Sequence, residues 1–371
     1  MGILFLPMIH QINPFESKTL VYLIEKTIEK RGSQYPNPAV GAAVVKNNQI
    51  ISEGFHLLYG YDHAEVIALN QAGRAAQGAT LLVTLEPCVH HGKTPPCVEK
   101  ILSAGIKRVI WAINDPNPRV DGKAQAILEA QSVEVIPHCF PELGLECLKE
   151  FHAFHKFNRP FVYVKSAMSI DGMIAPNGDG LNYISSPESL HLVQQLRKNV
   201  QAICVGANTI NIDQPRLNIR IDQLNDFQPV IVILDPQHHV DMNWIDQTLD
   251  SGRNIILFRS DHLDSHHDRF TVISGLTSDK LANWQLVLRT LYAQKIHGLL
   301  VEGGSTVFRS ILDAGYFDEL WVTKVPKLFG SDAVPFVSPG SEISLDVSLV
   351  SSVHYGVDVV LKYRKDHAFS I

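Results

Sequence analysis

The stretch TLEPCVHHGKTPPC, residues 84–97, places two cysteines and two histidines within fourteen positions. Zinc binds cysteine thiolate and neutral imidazole, and a catalytic zinc ion takes three protein ligands and leaves its fourth position open to water. Cys88 and Cys97 are therefore candidate ligands. Upstream, His63 and Glu65 stand in the sequence HAE at the start of a predicted helix, which offers a third ligand and an acid–base group.

Together these residues are close to the H-x-E and P-C-x-x-C pattern of zinc deaminases, although eight residues separate the two cysteines here. In that chemistry His63, Cys88 and Cys97 hold the metal, whose charge lowers the pKa of a water molecule to about 7. Glu65 does not bind the metal. It takes the proton of the water and passes it to the ring nitrogen and then to the leaving amine. The pattern predicts hydrolytic deamination.

The remaining cysteines and the histidines next to Cys88 have more ordinary explanations. Cys139, Cys147 and Cys204 lack any ligand-like context and are predicted to be small buried residues. His90 and His91 are predicted to lie in the loop or in the pocket and not to bind the metal.

The first 140 residues alternate helix and strand patterns. Apolar residues at helical spacing predict an amphipathic helix with Ser17 as its N-cap and Gly32 just past its end. Two strands flank a predicted turn at Asn47–Asn48. Helices are then predicted near 63–76, 97–105 and 122–131, and strands near 79–87, 106–114 and 133–139. Strands separated by such helices predict a three-layer α/β/α domain around a largely parallel sheet.

A junction is predicted at 150–161, after which the alternation of strands and helices restarts. The two halves share no repeat, which favours two different activities, and we expect domains over 8–152 and 158–371. In the second half the strand GLLVEGG runs into the helix STVFRSILDAG. The first N–H groups of such a helix could hold a pyrophosphate, and a plain strand-to-helix turn is the alternative.

The composition restricts the class of protein. The chain has 371 residues, of which 45% are hydrophobic and 19% charged, and a formal net charge of −6. The acidic balance disfavours a nucleic-acid partner, because binding phosphates requires a basic face. Five cysteines favour a reducing cytoplasm over a disulfide framework. The segment before Met8, a second candidate start, lacks the features of a signal peptide, and we expect no membrane association.

Four motifs in the first half resemble the bifunctional deaminase/reductase of riboflavin biosynthesis: YPNPAVGAAVVKNNQIISEGFH, HAEVIALNQAG, GATLLVTLEPCVHHGKTPPC and NDPNPRVDGKA. The resemblance extends from about residue 15 to residue 363. It implies a cytidine-deaminase-like domain followed by a dihydrofolate-reductase-like α/β domain. It also implies hydrolytic loss of the 2-amino group of 2,5-diamino-6-(5-phosphoribosylamino)pyrimidin-4-one, and then NADPH-dependent reduction of the ribosyl chain to a ribityl chain.

In the first half the resemblance implies one zinc ion and contacts to a phosphorylated pyrimidine ribosylamine. Asn37 in PNPAVG is similar to the pyrimidine-contacting asparagine of the family, and His56 in EGFH matches a position in the substrate pocket. Lys93 in HHGKTPPC, with Asp115 and Asn117 in DPNP, matches positions that contact the base, the ribose or the phosphate.

In the second half the motifs VKSAMSIDGMIA, VGANTINIDQPRLNIR and VEGGS resemble the reductase of the same family. The resemblance implies contacts to NADPH by Ala167, Tyr183, Thr209, Asp213, Gly304 and Ser305. It implies contacts to the phosphorylated reductase substrate by Arg197, Leu217, Arg220 and Glu302. Arginines suit a phosphate because the guanidinium group binds it through two parallel hydrogen bonds. Lys165 and Asp171 match further positions of these motifs.

The second half also departs from the family pattern. Leu181 replaces a polar serine that contacts the substrate, and Tyr183 replaces a tryptophan near the cofactor. Gln214 stands where Asp or Asn is usual, and Pro236 where Ser or Thr is common. Loss of the hydroxyl at Leu181 removes a hydrogen bond worth about 1 kcal/mol.

Three alternatives to a bifunctional enzyme remain open from the sequence. The chain could be a deaminase whose second half is catalytically silent and structural, which binding of NADPH to that half would test. It could be a zinc-stabilised scaffold without activity, for which Glu65→Gln would change nothing measurable. It could deaminate bases in RNA, which would require salt-sensitive RNA binding. Members of the resembling family are often dimers or tetramers, so we expect a homo-oligomer.

Overall fold

The computed structural model of the protein describes residues 12–366 apart from 91–94, 119, 177–183, 222–225 and 261–264. The chain divides into two compact units, one that ends at Phe157 and one that begins at Asn158. Among the described helices, none combines the length with the apolar composition that crossing a bilayer requires.

The described part of the first unit contains six α-helices and five strands. In chain order they are α1 (Pro14–Glu29), β1 (Gly41–Lys46), β2 (Gln49–Phe55), α2 (Ala64–Ala72), β3 (Thr80–Leu85), α3 (Cys97–Ser103), β4 (Arg108–Ile113), α4 (Lys123–Ala130), β5 (Glu134–Ile136), α5 (Pro141–Glu146) and α6 (Lys149–Phe157). A short 3₁₀ turn, Gly73–Ala76, follows α2.

These strands form one sheet in the order β2-β1-β3-β4-β5. Residues of α2, α3 and α4 cover one face, where Trp111 of β4 is fully buried, and α1 and α5 contact the other face. The predicted three-layer α/β/α architecture is therefore confirmed. The prediction of a largely parallel sheet is correct only for β3, β4 and β5, because β1 pairs antiparallel with both β2 and β3.

Local sequence explains where the first elements begin and turn. Asn47 and Asn48 have φ angles of 52° and 54°, which asparagine tolerates, so the predicted turn between β1 and β2 is confirmed. The predicted N-cap of α1, Ser17, is wrong. The helix begins four residues earlier, because the side chain of Asn13 accepts hydrogen bonds from two backbone N–H groups. The carboxylate of Glu16 accepts one from the backbone N–H of Asn13, which completes a capping box.

The described part of the second unit contains five α-helices and twelve strands. In chain order they are β6 (Phe161–Ser169), β7 (Met173–Ala175), α7 (Pro187–Asn199), β8 (Ala202–Gly206), α8 (Ala207–Asp213), β9 (Val230–Leu234), α9 (Met242–Asp250), β10 (Ile255–Phe258), β11 (Ser265–His267), β12 (Phe270–Ile273), α10 (Lys280–Ala293), β13 (Gly298–Gly303), α11 (Ser305–Ala314), β14 (Glu319–Val325), β15 (Val334–Pro335), β16 (Val347–Tyr355) and β17 (Asp358–Lys365).

Ten of these strands form a single sheet in the order β11-β12-β10-β9-β8-β13-β6-β14-β17-β16. The seven strands from β12 to β14 are mutually parallel, and β11, β17 and β16 pair antiparallel. Helices α10 and α11 bury Trp284 and Phe308 in the core. Ligands of open parallel sheets bind beyond the carboxyl ends of the strands. In this sheet β8 ends at Gly206 and β13 ends at Gly303.

The three cysteines without a ligand-like context are buried and free of disulfides, as the sequence predicts. Burial raises the pKa of Cys139 and of Cys147 to about 12. Thiols with such a pKa stay neutral and unreactive, so these residues act as small apolar side chains.

Helix α2 lies very close to strand β2, and Gly54 makes this approach possible. A Cβ atom on Gly54 would lie 2.2 Å from the carbonyl oxygen of Ala64 and 2.7 Å from the backbone nitrogen of Ala68. Both neighbours are backbone atoms, which cannot move aside without shifting the helix. The glycine therefore fixes the position of the first turn of α2.

We expect Gly54→Ala to lower the free energy of unfolding by about 1–3 kcal/mol, because overpacking forces α2 away from the sheet. Urea denaturation followed by circular dichroism measures the change. Gln49→Ala, an exposed position on the same strand, is the control and should stay within about 0.5 kcal/mol of the parent. An unchanged urea midpoint for Gly54→Ala would contradict the close packing of α2.

Candidate active sites

Three potential zinc ligands converge in the first unit. His63 immediately precedes α2, Cys97 is the first residue of α3, and Cys88 follows the end of β3. The Nδ1 atom of His63 lies 3.2 Å from the Sγ atom of Cys97 and 3.6 Å from that of Cys88. All three ligand atoms lie within 4.8 Å of one another. Ligand atoms about 2.0–2.3 Å from one tetrahedral zinc ion are about 3.3–3.8 Å apart, so this donor set fits zinc.

Hydrogen bonding prepares Cys88 to bind a cation. The hydrogen bond from the side chain of Cys97 lowers the pKa of Cys88 most, and the hydrogen bond to His63 lowers it further. The backbone N–H of Cys97 also donates to the Sγ atom of Cys88 at 3.3 Å. Against the opposing effect of burial, these groups hold the pKa of Cys88 well below its usual range. This favours the thiolate, which is the form that binds zinc.

Glu65 lies in the first turn of α2, two residues after His63, and only 4% of its surface is exposed. Burial raises the pKa of its carboxyl group, and the neighbouring Cys88 raises it further. A carboxyl group whose pKa moves toward neutrality can both accept and return a proton, as a general acid–base group must.

A cavity of about 270 Å³ joins these groups to a second set of side chains. His63, Glu65 and Cys88 form part of its wall. Four residues that the family resemblance assigns to the deaminase substrate also line it: Asn37, His56, Asp115 and Asn117. The fold thus brings residues from five separate segments of the first unit to one cavity.

His56 fixes the orientation of Asn37. The Nδ1 atom of His56 lies 3.0 Å from the carbonyl oxygen of Asp62, which makes Nδ1 the protonated nitrogen. The Nε2 atom then accepts a hydrogen bond from the Nδ2 amide group of Asn37 at 3.1 Å. Burial lowers the pKa of His56, which favours this neutral tautomer. The amide oxygen is consequently the group that Asn37 can offer to a ligand.

The segment that follows β4 supplies Asp115 and Asn117. The Oδ1 atom of Asp115 accepts a hydrogen bond from the backbone N–H of Asn117 at 2.8 Å. Burial raises the pKa of Asp115 to about 7, and the nearby charge of Glu86 contributes to the increase. Near neutral pH Asp115 is therefore able to donate as well as to accept a hydrogen bond.

Several residues at this cavity differ from the set identified in the sequence. Lys93 and His91 lie outside the described residues. His90 lines the cavity. Residues that no sequence motif assigned to the site line it as well, among them Tyr59, Tyr61, Glu86 and Phe151. Phe151 belongs to α6, a helix in the segment interpreted as a junction. Of these, only Glu86 could have been found from the sequence, because it is an acidic residue directly before the Pro-Cys of the metal-binding motif.

In the second unit Arg197 and Glu302 form a bidentate ion pair whose side chains are 9% and 12% exposed. The Nε and Nη2 atoms of Arg197 donate to the two carboxylate oxygens of Glu302, both at 2.7 Å. Burial raises the pKa of Glu302, but Arg197 and other cations outweigh this effect and hold the pKa below its usual range. Arg197 also donates to the carbonyl oxygen of Asn218, whose side chain accepts from Arg220 at 2.9 Å. Leu217 is buried beside them.

Lys165 lies on β6, the strand that pairs in parallel with the strand of Glu302. Burial lowers the pKa of Lys165 to about 8, Glu302 opposes this decrease, and Arg197 adds to it. An ammonium group with this pKa releases a proton far more readily than an exposed lysine. The structure thus places a potential proton donor beside the Arg197–Glu302 pair.

The turn between β13 and α11 is shaped for the close approach of a ligand. Gly303 and Gly304 have φ angles of 130° and 90°, which favour glycine. A Cβ atom on Gly304 would lie 3.1 Å from the Oγ1 atom of Thr209, so Thr209 borders this turn. The Oγ atom of Ser305 is buried without a hydrogen-bond partner among the described residues. This orphaned hydroxyl at a helix N-terminus fits a phosphate group of a dinucleotide.

The family resemblance implies three further contacts to NADPH, and the structure describes two of them. Ala167 lies in β6, and Asp213 is the exposed last residue of α8. Tyr183 lies outside the described residues, as does Leu181. Gln214 ends α8 in the left-handed conformation, with a φ of 45°, and hydrogen-bonds the N-cap residue of α9. Of the described positions implied to contact NADPH, Thr209 is the one that borders the glycine turn within 4 Å of a Cβ atom on Gly304.

Two family models match the chain and together cover both units. The model of the cytidine and deoxycytidylate deaminase zinc-binding region matches residues 16–113. The model of the RibD C-terminal domain matches residues 160–361, which is more than half of the chain.

Known relatives match over almost the whole length. The riboflavin biosynthesis protein RibD of Aquifex aeolicus is 36% identical over 96% of this chain and 100% of its own length. The solved structure of Acinetobacter baumannii RibD superposes with a TM-score of 0.82 at 32% identity, and covers 94% of this chain and 99% of that one. A Thermotoga maritima structure, described as a diaminohydroxyphosphoribosylaminopyrimidine deaminase/5-amino-6-(5-phosphoribosylamino)uracil reductase, gives a TM-score of 0.79 at 31% identity, over 95% and 98% of the two chains.

Removing a single ligand should remove the metal. We expect His63→Ala and Cys97→Ser to weaken zinc binding by at least about 100-fold. Mutation of residues that only hydrogen-bond a metal ligand typically lowers metal affinity about 10–100-fold, and the loss of a direct ligand should cost more. Zinc content of the purified, dialysed proteins measures the effect. Cys139→Ser changes a cysteine outside the cavity and should retain the parent zinc content. Equal zinc content in all variants would contradict the assignment of the ligands.

Proposed function

This chain belongs to the RibD family of riboflavin-biosynthesis proteins, which join a zinc-dependent deaminase to a reductase, and we propose that its first unit deaminates 2,5-diamino-6-(5-phosphoribosylamino)pyrimidin-4-one. The protein is a bifunctional enzyme, a hydrolase and an oxidoreductase. In the proposed sequence the 2-amino group leaves as ammonia, and NADPH then reduces the ribosyl chain of the uracil product to a ribityl chain. We assign the deaminase to residues 8–152 and the reductase to residues 158–371.

The observation that carries the deaminase proposal is the convergence of ligands and acid–base group in one cavity. His63, Cys88 and Cys97 would hold the zinc ion, and Glu65 lies beside them without belonging to the ligand cluster. When bound, zinc supplies Lewis acidity, which makes a water molecule nucleophilic near neutral pH. Glu65 accepts the proton of that water at its carboxylate and returns it to the ring nitrogen and then to the leaving amine.

The remaining wall of the cavity is proposed to bind the substrate. Asn37 offers its amide oxygen to the N–H groups of the pyrimidine, because His56 engages its amide nitrogen. Asp115 and Asn117 contact the ribose or the base, and Lys93 is proposed to contact the phosphate. Burial of the ring in this cavity excludes bulk water from the reacting carbon, which strengthens the interaction of Glu65 with the transferred proton.

In the second unit we propose that Arg220 and the Arg197–Glu302 pair bind the phosphorylated product of the first reaction, together with Leu217. Thr209, Gly304 and Ser305 are proposed to hold NADPH, with further contacts from Ala167, Tyr183 and Asp213. NADPH supplies the hydride. The chain orients the two molecules and supplies a proton, for which Lys165 is suited because its pKa is about 8.

A deaminase with a silent second unit is not favoured. The family model of the second unit matches residues 160–361, and the buried hydroxyl of Ser305 together with the charged groups around Lys165 provides places for a cofactor and a phosphorylated substrate. Gln214 caps the end of α8 in the left-handed conformation and hydrogen-bonds Asp241, and the carbonyl oxygen of Pro236 accepts a hydrogen bond from Ser260. Neither residue is one of these groups.

We also propose that the enzyme forms a homo-oligomer through the sheet of the second unit. Strand β16 is the last strand of that sheet and presents Leu349, Val350 and Val353, each with 43–54% of its surface exposed. An apolar edge strand is a ready surface for pairing with a second copy. A reducing cytoplasm is the proposed compartment, because the cysteines are free and two of them would bind zinc as thiolates.

Glu65→Gln should separate the two activities of one chain. The amide cannot accept a proton, so we expect ammonia release from the diaminopyrimidine substrate to fall about 10²–10⁴-fold, the scale of acid–base contributions. Zinc content should stay at the parent value. NADPH oxidation with the already deaminated uracil substrate should also be unchanged. Retained ammonia release would exclude the proposed role of Glu65, and absence of NADPH oxidation in the parent would leave only a deaminase.

The oligomer proposal has its own test. We expect sedimentation velocity to show a dimer or tetramer, and Leu349→Asp/Val353→Asp to shift it toward monomer, because charge at an apolar contact must be desolvated. Ile127→Asp, at a helix position of the first unit that is 40% exposed, is the control and should not shift it. A monomeric parent at all concentrations tested would refute the proposal.

A further inference from the structure

Glu86 connects two segments of the first unit that carry different parts of the deaminase site. It follows the last residue of β3 and precedes Cys88 by two positions, and 2% of its surface is exposed. Its Oε2 atom accepts hydrogen bonds from the backbone N–H groups of Asp115 at 3.3 Å and of Gly122 at 3.0 Å. Its Oε1 atom accepts from the N–H of Ala124 at 3.1 Å.

These bonds span the whole loop between β4 and α4. The first donor, Asp115, stands two residues after the end of β4, and the last, Ala124, lies in the first turn of α4. Gly122, the N-cap of α4, has no side chain to cap the helix, so the distant carboxylate of Glu86 performs this task. A carboxylate is favourable there because the N-terminus of a helix carries partial positive charge.

The loop held in this way carries Asp115 and Asn117. Both line the cavity, and Glu86 lines it too. The Oδ1 atom of Asp115 accepts from the N–H of Asn117, so a shift of the Asp115 backbone moves both side chains. The backbone N–H of Glu86 also donates to the carbonyl oxygen of Ile113 at 3.0 Å, which ties the end of β3 to the end of β4.

We propose that Glu86 is a positioning residue for the deamination, which sets the distance between the proposed substrate contacts Asp115 and Asn117 and the zinc-binding segment at Cys88. This inference rests on the proposed function of the first unit. A carboxylate that accepts three backbone N–H groups is suited to the role, because each donor fixes a different point of the loop. A one-ångström displacement of a binding group is enough to change the alignment of a substrate.

A purely structural role predicts something different. If Glu86 only caps α4, its loss lowers stability and leaves the binding of substrate unchanged. The two roles are separated by the KM and kcat of ammonia release, measured on the full-length, zinc-loaded enzyme with the diaminopyrimidine substrate. NADPH oxidation with the deaminated substrate, measured on the same preparation, reports on the integrity of the second unit.

We expect Glu86→Gln to raise KM about tenfold or more, because its amide group presents N–H donors to backbone N–H donors and the loop loses at least one charge-assisted bond. The kcat should change less than about threefold and zinc content should be unchanged. Glu16→Gln is the matched control. Glu16 is equally buried and accepts a backbone N–H at the start of α1, far along the chain from the cavity, so it should lower stability without changing KM.

A double-mutant cycle tests whether Glu86 acts through the loop. Asn117→Ala alone should raise KM, and Glu86→Gln added to it should have little further effect, because residues that act as a unit are not additive. Should Glu86→Gln fail to fold, Glu86→Asp keeps the charge, shortens the side chain by one methylene and should give a smaller increase in KM.

Three results would overturn the proposal: an unchanged KM with lowered stability, which identifies a cap only; fully additive effects with Asn117→Ala; or loss of zinc, which identifies a role in the metal site. Absence of ammonia release by the parent enzyme is a different result, since it refutes the proposed function itself.

Discussion

The first unit depends on one geometric constraint, the meeting of three ligand atoms within 4.8 Å. The ligands come from the start of α2, the loop after β3 and the start of α3, so the two helices must begin side by side at the end of that strand. Gly54 permits the required contact between β2 and α2. The same constraint places Glu65, because a residue two positions after His63 in the first turn of α2 is carried to the cavity with the ligand.

Buried carboxyl groups take different roles in this protein according to what surrounds them. Glu65 is desolvated beside a thiolate, so its pKa rises and it can exchange a proton. Glu86 is surrounded by backbone N–H groups that hold it in place. Glu302 is paired with Arg197, which keeps it ionised in spite of burial. Residue type alone does not distinguish these three environments, since the same side chain serves in all of them.

Much of the fold could be predicted from local patterns in the sequence. The predictions that were wrong concern features that these patterns do not cover. The turn at Asn47–Asn48 and the alternation of strands and helices were readable because turn chemistry and periodicity act over a few residues. The apolar repeat predicts a start of α1 four residues too late, since the capping box at Asn13 lies outside that repeat. The hairpin of β1 and β2 is predicted from its turn, but the antiparallel pairing of β1 with β3 is not. The partner of a strand across a long connection depends on how distant segments pack, which no local pattern records.

The sequence by itself determined which residue types meet at the site: two cysteines, a histidine and a glutamate in a deaminase pattern predict a zinc ion, its ligands and an acid–base group, because those residue types have few other uses together. Only the tertiary structure decided that Glu86 anchors the loop of Asp115 and Asn117, that Phe151 lines the cavity, and that Lys165 lies beside Arg197 and Glu302. Those relations join residues separated by about 30 to 140 positions. No local pattern encodes them, since they arise from the order and direction in which distant strands pair.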